Sequence, residues 1–236
     1  MSRRGDLSRD QLLIAWQSAS LLLDYPDEEL LARLDLIREA SHQLPPEVGQ
    51  PLREVVVRLG STPLPDLQAD YVATFDTRRR CNLFLTYFAH GDTRKRGVAL
   101  LRFKQTYLAS GFDLEQAGGE LPDHLCVVLE YAACVDPEQG RQLLLDHRAG
   151  LELLRMSLVD LRSPWAGALE AVCGTLPALR GDERDAVRRL AAEGPPEEEV
   201  GLTPYGTPQF DAALTERGAS VDLPMPTVLP STVAGA

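Results

Sequence analysis

Metal-binding spacings are missing from this chain, because cysteine and histidine are few and scattered. The 236 residues include four cysteines and four histidines. No C-x-x-C pair occurs, and no two histidines stand at H-x-x-x-H or H-E-x-x-H spacing. The sequence therefore predicts no metal site, no bound cofactor, and reduced structural thiols at Cys81, Cys126, Cys134 and Cys173. The eight-residue separation of Cys126 and Cys134 predicts a shared helix face that suits buried residues.

Sequence motifs of common enzyme classes are also absent. The chain has no G-x-S-x-G nucleophile elbow and no G-x-x-x-x-G-K-[ST] phosphate loop. His90 precedes Gly91-Asp92, and His124 follows Asp123, so each histidine has a carboxylate neighbour in sequence. A lone histidine near a helix start is more often a capping or surface residue than an acid or base. The sequence predicts that the protein is not an enzyme, with a small helical enzyme using His90, Asp92 and His124 as the alternative.

Long hydrophobic runs are missing too. No stretch approaches the ~18 to 20 continuous apolar residues that a membrane span requires. Asp10, Gln11, Gln17 and Ser18 interrupt the apolar N-terminal segment, and no small-residue cleavage site follows it. We interpret this segment as a helix of the mature protein, and we expect a cytoplasmic protein that is not integrated into a membrane.

Positive charge is in deficit over the whole chain. Lys and Arg together number 24, against 35 Asp and Glu, which gives a net charge of -11. A negative overall field disfavours non-specific attraction to nucleic acid or to anionic lipid. Any such partner would need a local basic patch.

Alternating period-two runs, which are typical of strands, do not occur, whereas apolar residues recur at helical spacing in nearly every segment. The predicted fold class is all-α, as a single helical-bundle-like domain. A first helix carries Trp16 and ends before Pro26, and Asp27 caps the second. A third helix is predicted from Pro51 to Gly60.

Further helix boundaries follow from the same signals. We predict a helix capped by Asp66 that carries Leu67, Tyr71 and Phe75; one capped by Asp92 or Thr93 that ends at Gly111; one with Pro122 and Asp123 in its first turn that ends near Pro137; one long helix through Leu144, His147, Leu151, Leu154, Leu158 and Leu161; one starting at Ser163-Pro164; and a last helix from Asp182 to Gly194.

The composition changes after Gly194. Seven of the 17 prolines lie in residues 195–236, together with Glu197, Glu198 and Glu199 and a single basic residue, Arg217. Proline-rich and acidic segments without an apolar stripe cannot bury enough surface to fold. We therefore predict a helical domain over residues 1–194 and a disordered acidic tail over residues 195–236.

A basic aromatic segment interrupts the acidic chain. Residues 78–96 contain six basic side chains and one acidic side chain, a local charge of +5. These bases are predicted to pair with acidic neighbours such as Asp70, Asp76 and Glu120, or to form a recognition surface for a partner segment. The aromatic residues Phe84, Tyr87 and Phe88 would provide apolar contact in the second case, or belong to the core.

Several spaced motifs resemble one protein family. They are Tyr71-x-x-x-Phe75-Asp76, Leu83-x-Leu85-Thr86-Tyr87, Gly91-Asp92-Thr93-Arg94-x-Arg96-Gly97-x-Ala99-Leu100, Tyr107, Gly111, Leu121-Pro122-Asp123-His124-Leu125 and Leu129-Glu130-Tyr131. In this order they resemble the NarJ family, the assembly chaperones (delta subunits) of respiratory nitrate reductase, within the wider TorD-type superfamily. The resemblance covers about residues 12 to 190.

The resemblance implies an all-helical cytoplasmic protein that binds the N-terminal segment of the apo catalytic (alpha) subunit of nitrate reductase during molybdenum cofactor insertion. A client helix lying in a groove would combine apolar contacts with charge complementarity. The side chains that we predict to contact the client are Tyr71, Phe75, Asp76, Tyr87, Asp92, Arg94, Arg96, Asp123, Leu125, Glu130 and Tyr131.

Two alternatives of function remain open at this point. One is a chaperone of a different molybdoenzyme, although the Gly-Asp-Thr-Arg and Leu-Pro-Asp motifs favour the nitrate reductase branch. The other is a nucleic-acid-binding protein that uses the two arginine-rich clusters of residues 78–96, with Tyr87 and Phe88 stacking on bases. The net charge of -11 counts against it, so we predict no nucleic-acid partner. The sequence does not predict the oligomeric state.

Overall fold

The computed structural model describes residues 7–114 and 119–194, and this part of the chain is built from α-helices. Its eleven helices are α1 (Arg9–Leu23), α2 (Glu28–Ser41), α3 (Pro46–Gly60), α4 (Leu64–Tyr71), α5 (Leu85–His90), α6 (Arg94–Ala109), α7 (Leu125–Cys134), α8 (Pro137–Asp146), α9 (Arg148–Asp160), α10 (Ala166–Thr175) and α11 (Gly181–Glu193). A π-helical turn (Val72–Asp76) follows α4, and a 3₁₀ turn (Arg79–Cys81) precedes α5. The predicted all-α class is confirmed.

Helix α1 lies at the centre of the core, packed against α7 and α10. Trp16 is fully buried on α1, and its indole Nε1 donates a hydrogen bond of 3.0 Å to Oγ1 of Thr175 at the end of α10. On the α7 side, the Ser20 hydroxyl donates to the carbonyl of Cys126 at 2.9 Å. These bonds satisfy polar groups that would otherwise destabilise a buried helix face.

Helix α3 begins earlier than the sequence predicted. It starts at Pro46, and Pro51 lies inside it rather than at its beginning. A proline in the helix interior removes one backbone hydrogen bond. Val48 and Leu52, on either side of that position, are both buried, and this apolar contact offsets the loss. The predicted end at Gly60 is confirmed.

Helix α4 also begins upstream of its predicted cap. It starts at Leu64, so Asp66 lies in the first turn instead of capping the helix. The helix then widens into the π turn Val72–Asp76. Single π turns inside helices are frequent at functional sites. Across this turn Tyr71 and Phe75 remain in ring contact, with centroids 4.6 Å apart.

The predicted long helix through His147 is wrong, because the chain breaks there into α8 and α9. His147 leaves helical geometry with φ -108° and ψ 20°. Its Nδ1 lies 2.9 Å from the carbonyl oxygen of Leu143, so the ring bonds to the end of α8. Leu144 and Leu151 on either side of the break are both buried. The apolar spacing therefore continues across a break in the backbone, which is why it looked like one helix.

Two more predicted starts are shifted. Helix α7 begins at Leu125, so Pro122 and Asp123 lie in a separate turn before it, closed by a hydrogen bond of 2.9 Å from the N–H of His124 to the carbonyl of Leu121. Helix α10 begins at Ala166, after the predicted Ser163-Pro164 start. The start of α6 after Thr93 agrees with the prediction, although the Thr93 side chain makes no capping hydrogen bond. The last helix ends before a glycine with positive φ, at residue 194, as predicted.

All four cysteines are free thiols. Cys81, Cys126 and Cys173 are buried, whereas Cys134, the last residue of α7, is exposed and donates to Oε1 of Gln17. The prediction that Cys126 and Cys134 share a buried face is therefore wrong for Cys134, because α7 reaches the surface at its end.

No helix within residues 7–114 and 119–194 is long and apolar enough to cross a membrane. The same residues contain no group of three or more histidine, cysteine or acidic side chains placed to hold a metal ion. The predicted tail, residues 195–236, lies outside the described residues.

Candidate functional site

A pocket of about 230 Å³ combines aromatic walls with acidic side chains. We name it the acidic aromatic pocket. Four segments that are distant in sequence form it: the turn after α1, the end of α4 with its π turn, residues 82–84, and residues 120–124. Its lining side chains are Asp24, Tyr25, Tyr71, Phe75, Asp76, Asn82, Leu83, Phe84, Glu120 and His124.

The aromatic wall is fixed from behind by the core. Tyr71 and Phe75 both pack edge-on against Trp165, with ring centroids 5.4 and 5.3 Å away. The Tyr71 hydroxyl donates to the carbonyl of Leu23 at 2.9 Å, which ties α4 to the end of α1. Tyr25 then stacks edge-on against Tyr71 at 5.4 Å and leaves almost half of its surface exposed. The pocket therefore has a rigid aromatic floor and one accessible ring at its rim.

The pocket carries excess negative charge. Asp24, Asp76 and Glu120 lie around it, and no lysine or arginine is among its described lining residues. Burial raises the pKa of Tyr71 above its ordinary value, and the negative charges of Asp24 and Asp76 raise it further. The Tyr71 hydroxyl thus stays protonated and can keep donating its hydrogen bond.

His124 contributes a ring without adding positive charge at neutral pH. Burial lowers the pKa of His124 below its ordinary value, and the nearby carboxylates of Glu120 and Asp24 oppose this only in part. Its ring lies edge-on to Phe84 at 5.1 Å. Three carboxylates against neutral aromatic rings suit a cationic side chain with an aliphatic stem.

The Gly91–Gly97 motif supports one wall of this pocket. The Arg96 guanidinium bonds to Asp92 at 3.1 Å, approaches the buried carboxylate of Asp123 at 3.6 Å, and lies 5.1 Å from the centroid of the Phe84 ring. Asp123 accepts hydrogen bonds from the backbone N–H and the hydroxyl of Thr86. Arg96 thereby links the start of α6 to two segments that line the pocket, residues 82–84 and residues 120–124.

Those two segments are also joined through the backbone. Leu85 N–H donates to the carbonyl of Asp123, and Leu125 N–H donates to the carbonyl of Leu83, at 3.0 and 2.9 Å. Phe84 and His124 form an isolated antiparallel bridge between these bonds. This pairing presents the Phe84 and His124 rings together on the pocket side.

The structure separates the predicted client-contact residues into three groups. Tyr71, Phe75 and Asp76 line the acidic aromatic pocket. Asp92, Arg96 and Asp123 form the supporting network described above. Tyr87, Leu125 and Tyr131 are almost completely buried, whereas Arg94 and Glu130 are exposed away from the lining of the pocket.

Tyr87, Leu125 and Tyr131, which we predicted to contact a client, are buried, and their contact with a client stays a prediction. Tyr131 is bonded through its hydroxyl to Ser110 at 2.7 Å, and its ring packs 4.6 Å from Tyr107. Helical spacing could not distinguish these core side chains from surface aromatics. The Asp123 carboxylate is also fully buried, and its described contacts are with Arg96 and Thr86.

Within the basic segment, Arg96 pairs with acidic side chains, and the arginines at 78–80 contact backbone carbonyls and a hydroxyl. Arg78 donates to the carbonyl of Ala73, and Arg80 donates to the carbonyl of Ala191 in α11. Arg79 donates from Nε to the hydroxyl of Tyr87 at 2.8 Å. Arg78 and Arg80 therefore bind backbone carbonyls close to helix ends, where carbonyl groups lack helical partners, and Arg79 binds a tyrosine hydroxyl.

Sequence reasoning missed Asp24 and Tyr25. They lie in the short turn between α1 and α2, roughly 50 residues before Tyr71 and about 100 before His124. The only local signal is an exposed aromatic beside an acidic residue and Pro26, which is not specific to a site.

The comparisons with known proteins identify the family. The model of the nitrate reductase delta subunit family matches residues 41–171. The probable nitrate reductase molybdenum cofactor assembly chaperone NarJ of Bacillus subtilis is 33% identical over 167 residues, which cover 69% of this chain and 88% of that protein. The chain belongs to the nitrate reductase delta subunit family. The resemblance inferred from the spaced motifs is confirmed.

Other relatives of this delta subunit family member differ in how much of their length is matched. The nitrate reductase-like protein NarX of Mycobacterium tuberculosis H37Rv is 42% identical over 169 residues, but the chain spans only 24% of its length. The assembly chaperone NarJ of Escherichia coli K12 is 34% identical over 150 residues, covering 62% of this chain and 63% of that protein. Relatives carrying chaperone names agree with the prediction that the chain is not an enzyme.

The fold has a counterpart among solved structures. A redox enzyme maturation protein of Archaeoglobus fulgidus superposes with a TM-score of 0.50 at 22% identity, covering 71% of this chain and 92% of that one.

The delta subunit match includes the pocket segments at 71–76, 82–84 and 120–124, whereas Asp24 and Tyr25 lie before it. Most of the acidic aromatic pocket thus lies within the residues that the family model matches.

Proposed function

We propose that this protein is an assembly chaperone of a respiratory nitrate reductase, which binds the N-terminal segment of the apo catalytic subunit and assists insertion of the molybdenum cofactor. Membership of the delta subunit family and the names of the NarJ relatives support the coarser function. The molybdenum cofactor is then cargo of the client, and the chaperone holds no cofactor of its own. We place this function in the cytoplasm and in the helical domain of residues 1–194.

The acidic aromatic pocket is the single observation that supports binding of a client segment. A volume of about 230 Å³ accommodates a side chain or two, not a whole helix. A basic client side chain would place its cation among Asp24, Asp76 and Glu120 and its stem against Tyr25 and Phe84. An amphipathic segment with one basic anchor would therefore bind through a single pocket and extend over the neighbouring surface.

The burial of the aromatic floor limits which pocket residues can contact a client side chain. Tyr71 and Phe75 are 7% and 6% exposed, so only their edges reach a ligand. Tyr25 at the rim provides a larger accessible apolar surface. The side chains of Asp76 and Glu120 form no hydrogen bond with other described residues, so these two carboxylates of the pocket are the ones best suited to testing charge.

Calorimetric titration of the full chain with a synthetic peptide tests the proposal. The peptide should have the N-terminal sequence of the nitrate reductase catalytic subunit encoded beside this gene. We expect binding with a measurable heat at tens of micromolar. Asp76→Asn and Glu120→Gln should each weaken binding by about fivefold, which is the effect of losing one partly exposed ion pair. Higher salt should reduce this difference, since the Debye length is only ~8 Å at physiological ionic strength.

Glu130→Gln is the matched control, because Glu130 is an exposed carboxylate outside the pocket. Tyr25→Ala tests the apolar contact and should weaken binding more than Glu130→Gln. No heat with the well-folded wild-type protein would refute client-segment binding. Equal affinities for Asp76→Asn, Glu120→Gln and Glu130→Gln would place the binding site elsewhere.

Chaperoning of another molybdoenzyme is the nearest alternative. The same pocket would accept a basic side chain from a different client, so a panel of N-terminal peptides from several molybdoenzyme subunits distinguishes the two. Preference for a peptide from an enzyme other than nitrate reductase would reassign the client without changing the binding site.

A further inference from the structure

The outer face of α6 combines exposed apolar side chains with basic ones. Val98, Leu101 and Leu108 are between 56% and 74% exposed, the largest such group on one helix of the described residues. At 100° per residue they lie within about 80° of the helix circumference, opposite the buried rings of Phe103 and Tyr107. Side chains of this kind on one stripe indicate a contact surface.

The same helix is the most basic part of the described structure. Its sixteen residues include five arginines and lysines and no acidic residue. Arg96 points inward to Asp92 and Asp123, and the other four, Arg94, Lys95, Arg102 and Lys104, are exposed. The helical positions place Lys104 on one flank of the apolar stripe, Lys95 and Arg102 on the other, and Arg94 at its start.

We infer that the outer face of α6 docks on an anionic phospholipid surface. An amphipathic helix with an apolar stripe and flanking cations lies in the plane of a bilayer interface, with the stripe among the acyl chains and the cations at the headgroups. Among the helices of the described residues, α6 packs mainly against α5, and its outer side chains stay exposed.

Charge and side-chain type disfavour the other occupants. A second copy of the chain docked through the same face would bring two basic faces together, and the basic client segment proposed above would be repelled for the same reason. A single-stranded nucleic acid would pair with the cations, but the aromatic side chains of α6 on which bases could stack are buried. Lipid acyl chains provide an apolar partner for the stripe of aliphatic side chains. This inference does not rest on the proposed chaperone function.

Sedimentation of the full chain with sucrose-loaded vesicles tests it. Vesicles of phosphatidylglycerol and phosphatidylcholine in equal amounts should bind the protein at 0.1 M NaCl, and vesicles of phosphatidylcholine alone should bind at least tenfold less. Lys95→Gln and Lys104→Gln should each weaken binding by about fivefold, since each cation near an anionic surface contributes by roughly that factor. Leu101→Gln and Leu108→Gln should weaken it by a similar factor by removing apolar contact.

Leu36→Gln is the matched apolar control, because Leu36 is 70% exposed and belongs to α2 instead of α6. Arg58→Gln on α3 is the corresponding charge control. Both should bind vesicles as the wild type does. All these positions are exposed, so thermal melting should show that each variant folds.

Three outcomes would overturn the inference. They are equal binding to anionic and neutral vesicles, vesicle binding that the four α6 variants leave unchanged, and no vesicle binding at all. In the last case, capture of a single-stranded oligonucleotide or of an acidic helical peptide by the wild type, lost in Lys104→Gln, would assign the face to that partner instead.

Discussion

Replacing Arg96 with glutamine should destabilise the fold far more than removing its exposed acidic partner. Arg96 is 15% exposed and has two carboxylates within reach, Asp123 and Asp92, whose side chains are 0% and 78% exposed. Arg96 also donates from Nε to the Thr86 hydroxyl at 3.3 Å. Glutamine keeps much of the side-chain length and one donor for that hydroxyl, but it removes the positive charge.

The two partners contribute very different free energies. Removing the cation leaves Asp123 as a buried carboxylate held only by Thr86, and breaking a buried pair in this way costs about 3 to 5 kcal/mol. We expect about 3 kcal/mol, the low end, because the guanidinium is partly exposed and two hydrogen bonds to Asp123 remain. Asp92→Asn removes an exposed i,i+4 pair, worth about 0.3 to 0.5 kcal/mol.

Urea denaturation of wild type, Arg96→Gln and Asp92→Asn measures both values. A loss of about 3 kcal/mol corresponds to a fall in Tm of roughly 6 to 12 °C for a chain of this size. The double variant Arg96→Gln with Asp123→Asn should recover part of the loss, because no unpaired buried charge remains. If Arg96→Gln lay within about 0.5 kcal/mol of Asp92→Asn, the Arg96–Asp123 contact would not stabilise the pocket wall.

Three other predictions concern the fold. Burial lowers the pKa of His124 and His147, so the unfolded chain binds more protons than the folded chain below the ordinary histidine pKa of about 6.5. The free energy of unfolding should therefore be constant above pH ~7 and fall as the pH drops through 6.5. A midpoint of urea unfolding that does not change between pH 7.5 and 5.5 would contradict this. Gly97→Ala should stabilise the protein by about 0.5 to 1 kcal/mol, because a Cβ at this helical position meets nothing within 4 Å. Gly140→Ala should destabilise it, because the new Cβ would lie 2.2 Å from a side chain of α7. Thermal melts in which both variants shift the Tm in the same direction would be inconsistent with this packing. Ending the chain after Gly194 should leave the Tm within a few degrees, and a larger fall in a melting experiment would show that residues 195–236 contribute to stability.

The sequence alone was sufficient for the fold class and for several helix ends. Asp27 was predicted as a cap, and its carboxylate does accept from the N–H of Leu30. Gly60 and Gly194 were predicted as helix ends, and α3 and α11 end there. Such ends can be predicted from sequence because capping and backbone preferences act within a few residues. The spaced motifs likewise indicated the family, because their order along the chain is a property of sequence.

Tertiary structure decided which side chains form the pocket. Tyr71 and Tyr131 both occur at helical spacing beside acidic residues. Tyr71 lines the acidic aromatic pocket, whereas Tyr131 is buried with its hydroxyl bonded to Ser110. Asp24 meets Asp76 and Glu120 only because the turn after α1 packs against the end of α4. Local periodicity determines the face of a helix, but the exposure of that face depends on neighbours from elsewhere in the chain.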